Sequence, residues 1–167
     1  LVASGNWSDA SIWSATSGGL GGASAPTSSD VVYINMNYTV TLDADTAVLS
    51  NLQHTNGTLA LGSYTLSLHA FTSSGTTART LNLDSGTIHV QQPDFGTGFS
   101  LSGSGLTVNQ GTSLIIVDAY YNTDTVPFDT LGMTFNDVQI NVGTGTDANT
   151  SVAITGSPTF RSLIIQS

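Results

Sequence analysis

The sequence predicts an all-β fold, specifically a right-handed parallel β-helix or β-solenoid with rungs of about 18–22 residues. Three observations carry it. The composition is hostile to helices, short runs of alternating apolar residues recur along the whole chain, and one block of fixed internal spacing occurs four times. Of 167 residues only 8% are charged, against roughly 25% in an ordinary domain. All eleven acidic residues are Asp, both basic residues are Arg (Arg79 and Arg161), and Lys and Glu are absent. Thr suits strands, while Asp, Asn, Ser and Gly suit turns and caps, so few good helix formers are left for exposed positions. A hydrophobic content of 39% is enough for one domain with a continuous core.

The block reads apolar-x-apolar, four residues, apolar-x-apolar. It falls at Val40, Leu42, Ala47 and Leu49; at Leu59, Leu61, Leu66 and Leu68; at Leu81, Leu83, Ile88 and Val90; and at Phe99, Leu101, Leu106 and Val108. Each centre is made of corner formers, such as Asp43-Ala44-Asp45-Thr46 and Ser102-Gly103-Ser104-Gly105. Two short strands about a corner make part of a rung, and the copies start 19, 22 and 18 residues apart. Stacked rungs bury their inward residues against one another, which is the repeat grammar of a solenoid. Further strands are expected at 31–34, 114–117, 138–142, 152–154 and 163–165. The competing architecture is an antiparallel β-sandwich or jelly roll, since short strands with Gly-rich turns read similarly.

Residues 1–30 differ from the rest. Trp7 and Trp13 precede a loose Gly18-Gly19-Leu20-Gly21-Gly22 stretch and Pro26. Two large aromatics suit a cap over the first rung, so 1–30 is expected to be a capping segment and 31–167 the solenoid. Leu1 is not preceded by a basic and apolar leader, and Leu163-Ile164-Ile165 runs almost to Ser167. The chain therefore reads as a piece of something longer, continued beyond Ser167 or completed by a neighbouring subunit.

A net charge of −9 with no cluster of Lys or Arg argues against nucleic acid and against anionic lipid as partners. No run approaches the roughly 20 apolar residues of a membrane-spanning helix. Cysteine is absent, which removes disulfides and thiolate metal sites.

Residues able to carry chemistry are scattered. His54, His69 and His89 sit in strand-like segments and could approach one another in neighbouring rungs, but no short metal-ligand motif joins them. Asp43 and Asp45 share a corner, and Asp118, Asp124 and Asp129 flank Tyr120-Tyr121-Asn122. These are read as turn residues. Calcium is the one metal such loops would suit, yet neither calcium-loop pattern is present, and no cofactor is expected. Two facing Asp in a groove would be needed for glycoside hydrolysis, and a lyase would want a basic residue near its base, which two distant Arg supply poorly. A Ser-His-Asp enzyme has no Gly-x-Ser-x-Gly elbow here. The chain is therefore expected not to be an enzyme. Trp7, Trp13, Tyr120 and Tyr121 are candidates for stacking on a glycan if exposed. Asn6, Asn37, Asn56 and Asn149 begin Asn-x-Ser/Thr acceptor sequences for N-glycosylation.

The segment Ser4-Gly5-Asn6-Trp7-Ser8-Asp9 through Trp13, with Ala25-Pro26-Thr27 and Asp30-Val31-Val32-Tyr33-Ile34, resembles the start of repetitive β-solenoids in phage tail fibres, virion appendages and bacterial surface fibrils or adhesins. The resemblance covers most of the chain through its repeat grammar and carries no catalytic signature. It implies a structural subunit of a virion or extracellular fibre, with self-association or neighbouring subunits as partners. A module that adheres to surface polysaccharide is the alternative, and a polysaccharide hydrolase or lyase comes third.

Overall fold

A computed structural model of the chain describes residues 1–28, 30–91, 98–119, 125–143 and 151–166. The strands begin with β1 (Gly5–Asn6), β2 (Val31–Ile34), β3 (Thr39–Thr41), β4 (Leu49–His54) and β5 (Gly57–Ala60). They continue with β6 (Thr65–Ser73), β7 (Arg79–Asn82), β8 (Thr87–Gln91), β9 (Phe99–Leu101) and β10 (Leu106–Asn109). The last five are β11 (Leu114–Ala119), β12 (Thr125–Asp129), β13 (Thr134–Val142), β14 (Ser151–Thr155) and β15 (Thr159–Gln166).

Every pairing among these strands is parallel, and each joins strands of successive coils. This is a parallel β-solenoid, and it excludes the antiparallel sandwich. The first face stacks β1, β3, β5, β7 and β10. The other strands form a sheet that divides at β6: residues Thr65–Leu68 pair with β8, and Phe71–Ser73 pair with β9. The second face runs on through β11, β13 and β15, and the third through β12 and β14.

The division follows from side-chain phase. In β6, Leu66 and Leu68 point inward, and then Phe71 and Ser73 do, so the period-2 alternation slips by one residue at His69-Ala70. A strand that turns a corner must slip in this way to keep burying apolar side chains on both sides of the bend. The same slip separates Leu49 from Leu52 in β4 and Phe135 from Val138 in β13.

Inward residues form columns. On the first face Val40, Leu59, Leu81 and Val108 lie opposite one another in turn. On the second face Leu68, Val90, Val117, Ile140 and Ile165 do the same. The third face stacks Phe71, Phe99 and Phe128, with successive ring centroids 5.2 and 5.0 Å apart.

These registers correct the expected rung length. The first three blocks are in register, with steps of 19 (Val40 to Leu59) and 22 (Leu59 to Leu81). The fourth is not: Leu81 lies opposite Val108, a step of 27, and Phe99 lies opposite Phe71, a step of 28. Later steps on the second face are 23 (Val117 to Ile140) and 25 (Ile140 to Ile165). The physical reason is that two different corners share one length. In the first three blocks the four-residue centre turns the chain from the first face to the second, whereas Ser102–Gly105 turns it from the third face to the first.

One corner position recurs in left-handed conformation, at Gly62, Asp84 and Gly111, with φ of 59, 49 and 53°. Asp tolerates this region better than most side chains. Gly111 has no such latitude, because a Cβ there would lie 2.0 Å from the Asp84 carbonyl oxygen.

The first thirty residues contribute a strand as well as a covering: β1 pairs with β3. A short 3-10 turn at Ala10–Ile12, capped by the Asp9 carboxylate accepting from the Ser11 N–H, places Ile12 in the core. Trp7 and Trp13 lie edge to face, 5.0 Å apart, and the Trp13 indole N–H donates to the Trp7 carbonyl at 2.8 Å.

Candidate functional site

A cleft of about 580 Å³ lies at the N-terminal end, between β2 and the loop that follows Trp13. Among the described residues β2 pairs on one side only, with β4. The cleft touches Val31, Val32 and Tyr33 in succession. Consecutive strand residues project to opposite faces, so a hollow that reaches three in a row passes along the strand's unpaired edge. Tyr33 and Val31 are 50% and 44% exposed. The lining also holds Ser14, Thr16, Ser17 and Ser24, with Pro26 and the nearly buried Trp13 beside them and Asn35 adding an amide. Asp30 is the only charged side chain in the lining. Its Oδ2 accepts from the Thr27 N–H and hydroxyl at 2.7 and 2.8 Å, the backbone bond first among the causes that hold its pKa below the ordinary value. It therefore stays ionised and bound to its own turn.

A second polar constellation lies on the outer surface of the second face. His89 Nε2 donates to Asp118 Oδ2 at 2.7 Å, while the Gln91 amide donates to His89 Nδ1 at 3.0 Å. Asn141 donates to Asp118 Oδ1 at 2.7 Å, and Gln139 donates to Asn141 at 2.9 Å and to Gln166 at 3.3 Å. Both ring nitrogens of His89 are therefore engaged by side chains of the ladder, Nε2 by Asp118 and Nδ1 by Gln91. The ladder ties four successive coils together.

The third constellation is buried. His54, Ser73 and Arg79 are 0%, 0% and 2% exposed. Arg79 Nε–H donates to Ser73 Oγ at 2.8 Å, and its two terminal nitrogens reach the Ser102 and Ser104 carbonyls at 2.7 Å each. Longer bonds go to Gly75 and Thr77. Every acceptor is neutral, and desolvation lowers the guanidinium pKa. His54 donates from Nε2 to the Gly57 carbonyl at 3.2 Å, and burial pushes it from 6.5 down to about 4, with the Arg79 charge acting in the same direction. This cluster clips the loop after β6 to the loop after β9.

The residues singled out in the sequence are distributed as follows. Trp7 and Trp13 are in the core at 6% and 5% exposure, so neither offers an open ring face to a sugar. Trp13 contributes only to the wall of the cleft. Tyr120, Tyr121, Asp124 and Asn149 lie outside the described residues. Asn6 and Asn37 are exposed, whereas Asn56 is half-buried and its Oδ1 accepts from the Gly57 N–H at 2.8 Å. The three histidines do not converge: His54 is internal, His89 is in the ladder, and His69 lies at the bend of β6. Asp43 accepts from the Ser8 N–H and hydroxyl, and Asp45 from the Thr65 N–H at 2.7 Å, so both fasten one coil to its neighbour. Asp118 and Asp129 have separate partners, Asp129 accepting from Ser100 and Thr155. Among the described residues no three His, Cys, Asp or Glu come together as a metal site.

Sequence reading missed three things. The His89–Asp118 contact spans 29 residues, the Arg161–Asp137 pair spans 24, and Tyr33 was taken only as part of a strand. The alternation of Val31-Val32-Tyr33-Ile34 would have placed Tyr33 outward, opposite the inward Val32 and Ile34.

Compared with protein-family models, curated proteins and solved structures, the chain matches none of them.

Proposed function

We propose that this chain is a structural β-solenoid module of an exported fibre or virion appendage, built to carry length and rigidity and not to catalyse a reaction. The observation that carries this reading is what the polar side chains are bonded to. On the outer surfaces, His89, Asp118, Asn141 and Gln139 join coil to coil, as do Ser100, Asp129 and Thr155 on the third face. Asn109 donates to Asn82 across the first face at 2.6 Å. Inside, apolar columns run the length of the stack. Groups that an enzyme would hold ready for a substrate are here spent on holding successive rungs together.

Immunogold labelling of the source cells or particles, with antibody against this chain, tests the proposal. Labels at regular positions on filaments or appendages support it. Labels confined to the soluble fraction, together with release of reducing ends from surface polysaccharide by the purified protein, overturn it.

A further inference from the structure

We propose that the cleft beside β2 is a binding site for a neutral saccharide, with Tyr33 as its stacking platform. This goes beyond the structural role and does not depend on it.

Three features of the cleft select the ligand. First, it has the size of a small-ligand site, about 580 Å³ against a usual range of roughly 300–1,000 Å³. Second, its lining pairs ring surface with short neutral polar groups. Tyr33 is half exposed at the mouth, and Ser17, Ser24 and Asn35 supply hydroxyls and an amide around it. A pyranose needs that mixture: its C–H face lies on an aromatic ring while its hydroxyls both donate and accept. The unpaired edge of β2 adds backbone N–H and C=O groups fixed in place by the sheet.

Third, charge disfavours the anionic sugars. The lining holds no Lys or Arg, and its acidic side chain is the Asp30 carboxylate, kept ionised by Thr27, while burial lowers the pKa of the Leu1 α-amino group that also lines it. A uronate, sialate or phosphate would meet repulsion from Asp30 with no Lys or Arg to offset it. An extended peptide adding to β2 is the competing occupant, because an open strand edge can pair with one. Specific strand addition needs pockets for alternate side chains, and most of the lining outside β2, the run Ser14, Ala15, Thr16, Ser17 and Gly18 above all, is too short to form them.

The test titrates the intact chain with neutral gluco-, galacto- and N-acetylglucosamine oligosaccharides, an oligogalacturonate, and a Val/Thr-rich extended peptide, read by calorimetry and saturation-transfer NMR. At least one neutral oligosaccharide is expected to bind. Tyr33→Ala is expected to weaken it about tenfold by removing the stacking surface, and Asn35→Ala to weaken it further. Tyr33 is half exposed, so circular dichroism of both variants should match the parent. A neutral sugar whose binding is unchanged by Tyr33→Ala overturns the proposal. So does preference for the oligogalacturonate or the peptide, or no neutral sugar with a Kd tighter than about 10 mM. None of these outcomes bears on whether the chain stands in a fibre.

Discussion

Phe99 is the residue on which the third face turns, and Phe99→Ala is the sharpest perturbation of the core. Its ring is fully buried, 5.2 Å from Phe71 in the coil before and 5.0 Å from Phe128 in the coil after, with Phe135 edge-on at 5.9 Å. Truncation to Ala at a buried Phe costs about 3–5 kcal/mol, transfer and cavity together. The upper part of that range applies, because three aromatic contacts worth roughly 0.5–1.5 kcal/mol each are lost with the ring. Phe99→Leu keeps most of the volume but loses those contacts, so it should cost about 1–3 kcal/mol. In a solenoid the damage is local, since each coil touches only its neighbours. Urea unfolding gives the totals, and hydrogen exchange gives the location. Amides of β6, β9 and β12 should lose protection, while those of β1 and β3 should not. A cost for Phe99→Ala below about 1 kcal/mol, the level of a surface site, would refute the buried Phe column.

Further outcomes follow from the buried polar cluster and the corners. His54 is fully buried with its pKa lowered from 6.5 to about 4, so the unfolded chain binds the proton first. Its contribution is complete above pH 6.5, declines as pH falls toward 4, and is then exhausted, a loss of about 3 kcal/mol; urea midpoints across that window should show it, and His54→Gln should flatten it. The Asp30 and Asp43 carboxylates, held below their ordinary 3.8, titrate at more acid pH and do not share this window. Arg79→Lys should cost about 2–4 kcal/mol by thermal or urea unfolding, because an ammonium cannot fork to the Ser102 and Ser104 carboxamide oxygens while also reaching Ser73. Gly111→Ala should destabilise by more than the roughly 1 kcal/mol expected of Gly62→Ala. Both have positive φ, but only at Gly111 would the new Cβ meet a backbone oxygen at 2.0 Å; paired melting curves decide it.

The fold was legible because its two signals are local. Alternation marks a strand, and a four-residue corner between apolar pairs marks a turn of the coil; Leu59–Leu68 and Leu81–Val90 carry both and fall in register. The register of later coils was not legible, since Phe99 to Val108 has the same spacing around a different corner. The second-face ladder was hidden for another reason. His89 and Asp118 meet only once the 27-residue step between β8 and β11 is known, and that step is longer than the block predicts. Among the described residues the buried Arg79 has no acidic partner to signal it: its acceptors are Ser73 and the main chain of two loops.

The central claim is the coil register itself, and the absence of cysteine makes it directly measurable. Asn82 and Asn109 are register partners on the first face, and their side chains are in contact. Paired residues of neighbouring strands lie about 4.8 Å apart, within disulfide reach. The Asn82→Cys/Asn109→Cys double variant should therefore close a disulfide rapidly under mild oxidation, while Asn82→Cys/Ser100→Cys should stay reduced. Closure of the second pair and not the first would put Leu81 opposite Phe99 and contradict the stacking described here.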